Sequence, residues 1–221
     1  MNRIKISLVV ILSILALCSA GCGTKEPVSD QADTCFIYTD GLLDDLCAIE
    51  YLSGKYDHAI IMPENPEGMK ESPYASDKVQ DEDALLGVAS AWFKNVVPYS
   101  DDTDISEADL YLLGPLTEFA DLLKGNPSLQ SNKALLMAGD AKGPDGAGEE
   151  WNAVADVDAY RYVTENMTNL TQVTRPECEA TYETKGYPFE AEFLDEYIAS
   201  INAIDENICC YDLQAVSVVL P

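Results

Sequence analysis

Basic side chains are scarce in this 221-residue chain: 13 Lys and Arg stand against 39 Asp and Glu, a formal charge of −26. Nucleic acid is thereby excluded as a partner, because phosphate binding needs clustered Lys and Arg. Histidine occurs once, at His58, and the seven cysteines form no CxxC or Cys/His pattern, so nothing supports a zinc site. No internal repeat is visible. Disorder is also excluded by composition, since 47% of the residues are hydrophobic and the length suits one domain with a sizeable core. The acidity is therefore a surface property for most of the acids, which keep the protein soluble. A few at the right spacing can instead hold a hard cation.

Residues 1–22 read as an export signal: Arg3 and Lys5 precede an apolar run from Ile6 to Leu17, and Ser19, Ala20 and Gly21 lead into Cys22. The run is too short to span a bilayer comfortably. Its small-residue exit resembles the lipobox of bacterial lipoproteins, with Ser19 where leucine is more usual, and implies lipidation of Cys22 and an extracytoplasmic, membrane-anchored protein. Residues 23–33, polar and carrying Pro27, read as a flexible tether, and residues 34–221 as the folded domain. Five cysteines follow Cys22, an odd number without regular spacing, so no disulfide framework is implied. Cys35 and Cys47 sit in apolar stretches as small core residues.

From Cys35 onward, short apolar runs alternate with segments of helical periodicity, the pattern of βα units in an α/β fold with an open, mainly parallel, Rossmann-like sheet. The runs are Cys35–Thr39, Ala59–Met62, Leu110–Leu113, Ala134–Ala138 and Leu170–Thr174. Leu42, Leu46, Ile49 and Leu52 recur at helical spacing, and further helices are expected over Asp83–Val96, over Thr117–Lys124 before Gly125, and from an Asp156 cap to about Thr164. Phe189, Phe193, Tyr197 and Ile201 make the apolar stripe of a long amphipathic helix. The segment from Glu64 to Gln80, rich in proline, reads as a loop. In such a sheet ligands bind beyond the carboxyl ends of the strands. Asp40, Asn65, Gly114, the stretch Asp140–Asn152 and Asp212 are the polar residues to inspect there.

Tyr38-Thr39-Asp40-Gly41-Leu42-Leu43-Asp44-Asp45 sets one carboxylate at a strand end and two in the first turn of the next helix. Acids there are favoured by the helix dipole alone, and they also suit calcium, which takes six to eight oxygen ligands; locally the two readings stand level.

Ile37–Leu46 resembles the amino-terminal Asp-x-Asp-Pro-Gly-x-Asp-Asp motif of the inosine-uridine nucleoside hydrolases, with Tyr38 in place of its first acid. Gly114-Pro115-Leu116-Thr117 resembles the family's Gly-Pro-Leu-Thr turn, and Met137-Ala138-Gly139 its Met-Gly-Gly strand end. Glu150-Trp151-Asn152 with Asp156 is similar to its Glu-Phe-Asn and Asp-Pro-Glu-Ala stretch, and Tyr211-Asp212-Leu213-Gln214-Ala215 to its His-Asp-x-x-Ala. The five matches stand in the family's order and span nearly all of the chain after the tether. The resemblance implies calcium held by Asp40, Asp45, Asp212 and the backbone carbonyl of Leu113. It implies Asp40 as the base for the attacking water, and Asp44, Asn65, Glu150 and Asn152 as partners of ribose hydroxyls beside a Trp151 wall.

The departures bear on activity. The family's histidine for leaving-group protonation is Tyr211 here, and His58 lies in another βα connection. The Met137–Glu150 stretch is short, with Pro144 or Asp145 near the place of a ribose-binding asparagine. Family members continue past the position of Pro221 with elements that close the base side. The expectation is a calcium-dependent hydrolase of the N-glycosidic bond of ribonucleosides or related ribosyl compounds, with tyrosine where the acid would be. The alternative is an extracytoplasmic lipoprotein that binds such compounds and turns them over poorly; a third reading keeps the fold alone, with the acids as a solvated rim. The partners implied are a small ribosyl substrate and the membrane, and an oligomer is compatible with either.

Overall fold

The computed structural model describes residues 33–64, 82–188, 190–201 and 209–220. Cys22, Asn65 and Phe189 lie outside the described residues, as does most of the expected tether and of the proline-rich loop.

The apolar runs form a six-stranded, all-parallel sheet: β1 Thr34–Thr39, β2 His58–Pro63, β3 Asn95–Pro98, β4 Asp109–Leu112, β5 Ala134–Met137 and β6 Leu170–Val173, in the order β3-β2-β1-β4-β5-β6. Cys35 and Ile37 of β1 face one side, with Ala59, Ile61, Tyr111, Leu135 and Met137. Phe36 and Tyr38 face the other, with Ile60, Leu110, Leu112, Ala134 and Leu136. Strands buried on both faces need near-continuous apolar sequence, which is why the inner strands β1, β2, β4 and β5 read as apolar runs, while the edge strand β6, Leu-Thr-Gln-Val, exposes Thr171.

Eight α-helices are described, on both faces of this sheet. α1 Leu43–Ser53, α2 Glu82–Trp92, α6 Arg175–Lys185, α7 Leu194–Ile201 and α8 Tyr211–Val219 contribute to the first side. α3 Thr117–Gly125, α4 Trp151–Val154 and α5 Val157–Asn166 contribute to the second. α8 packs against both α1 and α6. The Asp156 cap on α5 is as expected: its carboxylate accepts the Ala159 N–H at 2.9 Å and the Thr117 hydroxyl at 3.0 Å. No helix among the described residues is long and apolar enough to cross a membrane.

Three elements differ from the reading of the sequence. The helix expected to reach Val96 ends at Trp92, and Asn95–Pro98 is an edge strand beside β2, where Pro98 is tolerated because its missing N–H faces away from the ladder. The helix of the aromatic stripe is short, Leu194–Ile201. Asp212 lies in the first turn of a helix, α8, rather than at a strand end.

The order reverses between β1 and β4, so the loops leaving their carboxyl ends diverge to opposite sides and open a crevice there. Asp40 follows β1 and Gly114 follows Leu113 at the end of β4, which places both at this point.

Cys35, Cys47, Cys178, Cys209 and Cys210 are fully buried and unbridged. Burial pushes the Cys209 thiol up to about 12 and the Cys35, Cys178 and Cys210 thiols upward as well, so thiolate is scarce near neutrality. A chromogenic disulfide reagent at pH 8 should therefore label none of these five in the folded protein and all five once urea unfolds it. Fast native labelling of any of them would contradict this packing.

Candidate metal centre

The turn after β1 is built by local hydrogen bonds. The Thr39 hydroxyl accepts the Gly41 N–H at 3.0 Å, and Asp40 Oδ1 accepts the Leu42 N–H at 3.3 Å. Gly41 takes a φ of 73°, in the left-handed region that a side chain disfavours. This turn aims α1 so that Asp44 and Asp45 fall in its first turn, and the Thr39 hydroxyl donates to Asp45 Oδ1. Across the crevice, Gly114 lets β4 approach: a Cβ there would lie 2.9 Å from the Asp40 nitrogen.

The first turn of α8 brings the third acid. Carboxylate oxygens of Asp44, Asp45 and Asp212 all lie within 4.8 Å of one another. Asp40, Asp45 and Asp212 are buried and Asp44 is partly so. The amino ends of α1 and α8 both point their positive dipole ends at the cluster, which favours negative charge. They do not cancel the cost of gathering it. Burial and the nearby charge of Asp40 push the Asp44 carboxyl up to about 7. Burial raises the carboxyls of Asp45 and Asp212 well above the usual range too, and the charges acting on them belong to other acids: Asp40, Asp212 and Asp44 on Asp45, and Asp44, Asp40 and Glu150 on Asp212. Two buried oxygens, Asp45 Oδ2 and Asp212 Oδ1, have no hydrogen-bond partner among the described residues. Orphaned carboxylate oxygens converging from two helices are what a hard divalent cation would satisfy, and an all-oxygen donor set excludes a preference for soft metals.

Of the residues expected at the metal, Asp45 and Asp212 converge, and the third carboxylate with them is that of Asp44, expected as a ribose contact; Asp40 is close enough for its charge to act on all three. Tyr38 contributes nothing to this charge. Its ring is buried on the opposite face of the sheet, and its hydroxyl donates to Glu118 at 2.7 Å. Leu113 directly follows β4, its N–H donating to the Tyr38 carbonyl at 2.9 Å.

The remaining expected contacts are engaged with the protein itself. Glu150 caps α4: Oε1 accepts the Asn152 N–H at 2.8 Å, while Oε2 accepts the Ala153 N–H at 3.1 Å and the Gly139 N–H at 2.6 Å. Burial raises its carboxyl even against these three donors. The Asn152 carboxamide donates to the carbonyls of Leu113 and Met137. The Trp151 indole N–H is buried and meets no acceptor among the described residues. Tyr211 donates its hydroxyl to Glu179 at 2.9 Å, and the Arg175 guanidinium lies 5.8 Å from its ring centre. Thr39 went unread in the sequence. Its signal was local: a threonine two residues before a glycine, at the end of a strand, makes this hydroxyl-capped turn.

Compared with known protein families, with curated proteins and with solved structures, the chain matches none.

A cation that binds only the folded protein stabilises it by mass action, by about 2.7 kcal/mol at a concentration of one hundred times Kd. Thermal unfolding in calcium or manganese should rise accordingly and fall back with chelator. Asp45→Asn should abolish the gain while making the cation-free protein more stable, since it removes one of the buried carboxylates that repel one another. A melting temperature indifferent to every divalent cation tried would remove the centre.

Proposed function

We propose that the chain is a calcium-dependent hydrolase of N-ribosyl bonds, of the nucleoside hydrolase type. The observation that carries this reading is the convergence of Asp44, Asp45 and Asp212, two of them with orphaned buried oxygens, at the sheet's switch point. In this proposal Asp40, Asp45, Asp212 and the Leu113 carbonyl hold calcium, with Asp44 adjoining them. Bound there, calcium supplies Lewis acidity that eases deprotonation of the attacking water.

Asp40, held by the Leu42 N–H, accepts the proton as that water adds to the anomeric carbon and the bond to the base breaks. The crowded carboxylates stabilise the positive charge that develops on the ribosyl ring. Ribose hydroxyls are met by Asp44 and by the atoms of Glu150 and Asn152 that their own hydrogen bonds leave accessible, with Trp151 as a wall.

The departing base needs a proton, and Tyr211 stands where the family has its histidine. Burial raises this phenol above its ordinary value, the Arg175 charge opposes that, and the bond to Glu179 raises it again. A proton held so firmly is poorly matched to general acid catalysis at neutral pH, which is typically worth ~10²- to 10⁴-fold. The same observation favours a second reading, in which the protein binds ribosyl compounds outside the cytoplasm and turns them over poorly.

Kinetics with two substrate types test both readings. Calcium-dependent release of nitrophenol from a nitrophenyl riboside should be measurable, because that leaving group needs little protonation. Cleavage of inosine and uridine should be slower by about two orders of magnitude or more. Equal fast turnover of both would mean that another acid serves the base; ribose binding without cleavage of either would establish the second reading.

In this proposal the protein is also a lipoprotein, anchored through Cys22 with more than one acyl chain, since a single chain binds membranes marginally. Cys22→Ala should move it from the membrane fraction to the soluble one. Retention of that variant through an uncleaved leader would overturn the anchor.

A further inference from the structure

Asn152 is buried, and its carboxamide nitrogen spans two strand ends. Nδ2 lies 2.8 Å from the carbonyl oxygen of Leu113, which follows β4, and 3.0 Å from that of Met137, which ends β5. A primary amide has two N–H groups, and here both are engaged. Their origin is rigid in turn: the Asn152 backbone N–H is held by Glu150, whose other oxygen holds Gly139, two residues past Met137. Asn152, Glu150 and Gly139 thus form a brace across the ends of the two strands, and the group it braces at the crevice is the Leu113 carbonyl.

We infer that Asn152 is a positioning residue whose amide fixes the Leu113 carbonyl as the neutral ligand of the cation centre; this rests on the calcium reading of the acidic cluster. A carbonyl oxygen has two lone pairs, so one can accept the Asn152 N–H while the other faces the crevice. The donated hydrogen bond also fixes the plane of the Leu113 peptide. Without it that oxygen is free to turn away, and a water takes its place on the cation. Partners of this kind, one step removed from the ion, are typically worth about 10- to 100-fold in metal affinity. A second consequence concerns the substrate. With both N–H groups engaged, Asn152 can meet a ligand only through Oδ1, an acceptor, so it selects a hydroxyl and rejects a carbonyl at that place.

The test uses the whole protein with Asn152→Leu, which keeps the shape and removes both donors, and Asn152→Ser, which keeps a small polar group should the first not fold. Thr117→Ala, which loses a hydrogen bond to Asp156 at the start of α5, controls for general destabilisation. Calcium alone is titrated by calorimetry. Terbium then replaces it, and its luminescence decay in H2O and D2O counts the waters on the ion. The expected result is calcium binding weakened about 10- to 100-fold in the Asn152 variants, one additional water on terbium, and neither change in Thr117→Ala. Unchanged affinity and water count in a folded Asn152 variant would overturn the clamp and leave the cation centre standing. A wild-type protein that binds neither ion would overturn both.

Discussion

The structure turns on one unfavourable act: it gathers Asp40, Asp44, Asp45 and Asp212 at a strand end, with the charges acting on the buried ones coming from other acids. Like charges withdrawn from water repel one another and lose hydration together, and such a group is stable only if some members keep protons or a cation joins them. Everything nearby contributes to holding this arrangement open. Thr39 ties Asp45 to the end of β1, Leu42 ties Asp40, and the amino ends of α1 and α8 supply partial positive charge from two directions. Two oxygens remain orphaned even so. Tolerating this at the switch point costs the fold stability.

The sheet makes the gathering possible. Its order reverses between β1 and β4, which is the place where backbone leaves the layer on both sides and a crevice must form. Gly114 keeps that crevice narrow, because a side chain there would strike the Asp40 backbone. Tyr38, one residue into the sheet from Thr39, is turned away by the strand's period of two and joins the packing against Phe119, 6.1 Å between ring centres. Tyr38 thus fills the core beside α3 and adds nothing to the acidic cluster.

Five of the six strands were legible: β1, β2, β4 and β5 because they are buried on both faces and so must be compact apolar runs, and the edge strand β6 from Leu170 and Val173. β3 was not: at an edge it needs less apolar sequence, and Val96-Val97 beside a helical stretch reads as that helix's tail. α6 carried a signature that went unread. Thr174-Arg175-Pro176-Glu177 has the hydroxyl, the early proline and the acid of a capping box, and both reciprocal hydrogen bonds are present. Asp40, Asp45 and Asp212 were brought together in the sequence only by resemblance, since spacing cannot say that the last helix returns to the first. The working state of Glu150 and Asn152 was illegible for a related reason. Their partners are backbone groups of Gly139, Leu113 and Met137, which leave no trace in side-chain identity.

The centre closes only when the end of the chain docks. Asp212 reaches Asp45 because α8 lies on α1, with the Tyr51 hydroxyl donating to the Leu220 carbonyl and the Cys210 thiol 3.9 Å from the Asp44 carbonyl, 166 residues earlier. Contacts so distant in sequence are among the last that a folding chain can make. In the cation-free protein, docking α8 brings apolar burial and acid repulsion together: Leu213 and Val216 gain the core while Asp212 meets Asp44 and Asp45. A cation bound there would reverse the sign of the second contribution and leave the first intact. The helix that completes the acidic cluster is therefore also the element whose docking such a cation would most strengthen, and the free energy of binding it would be in part the free energy of closing the fold.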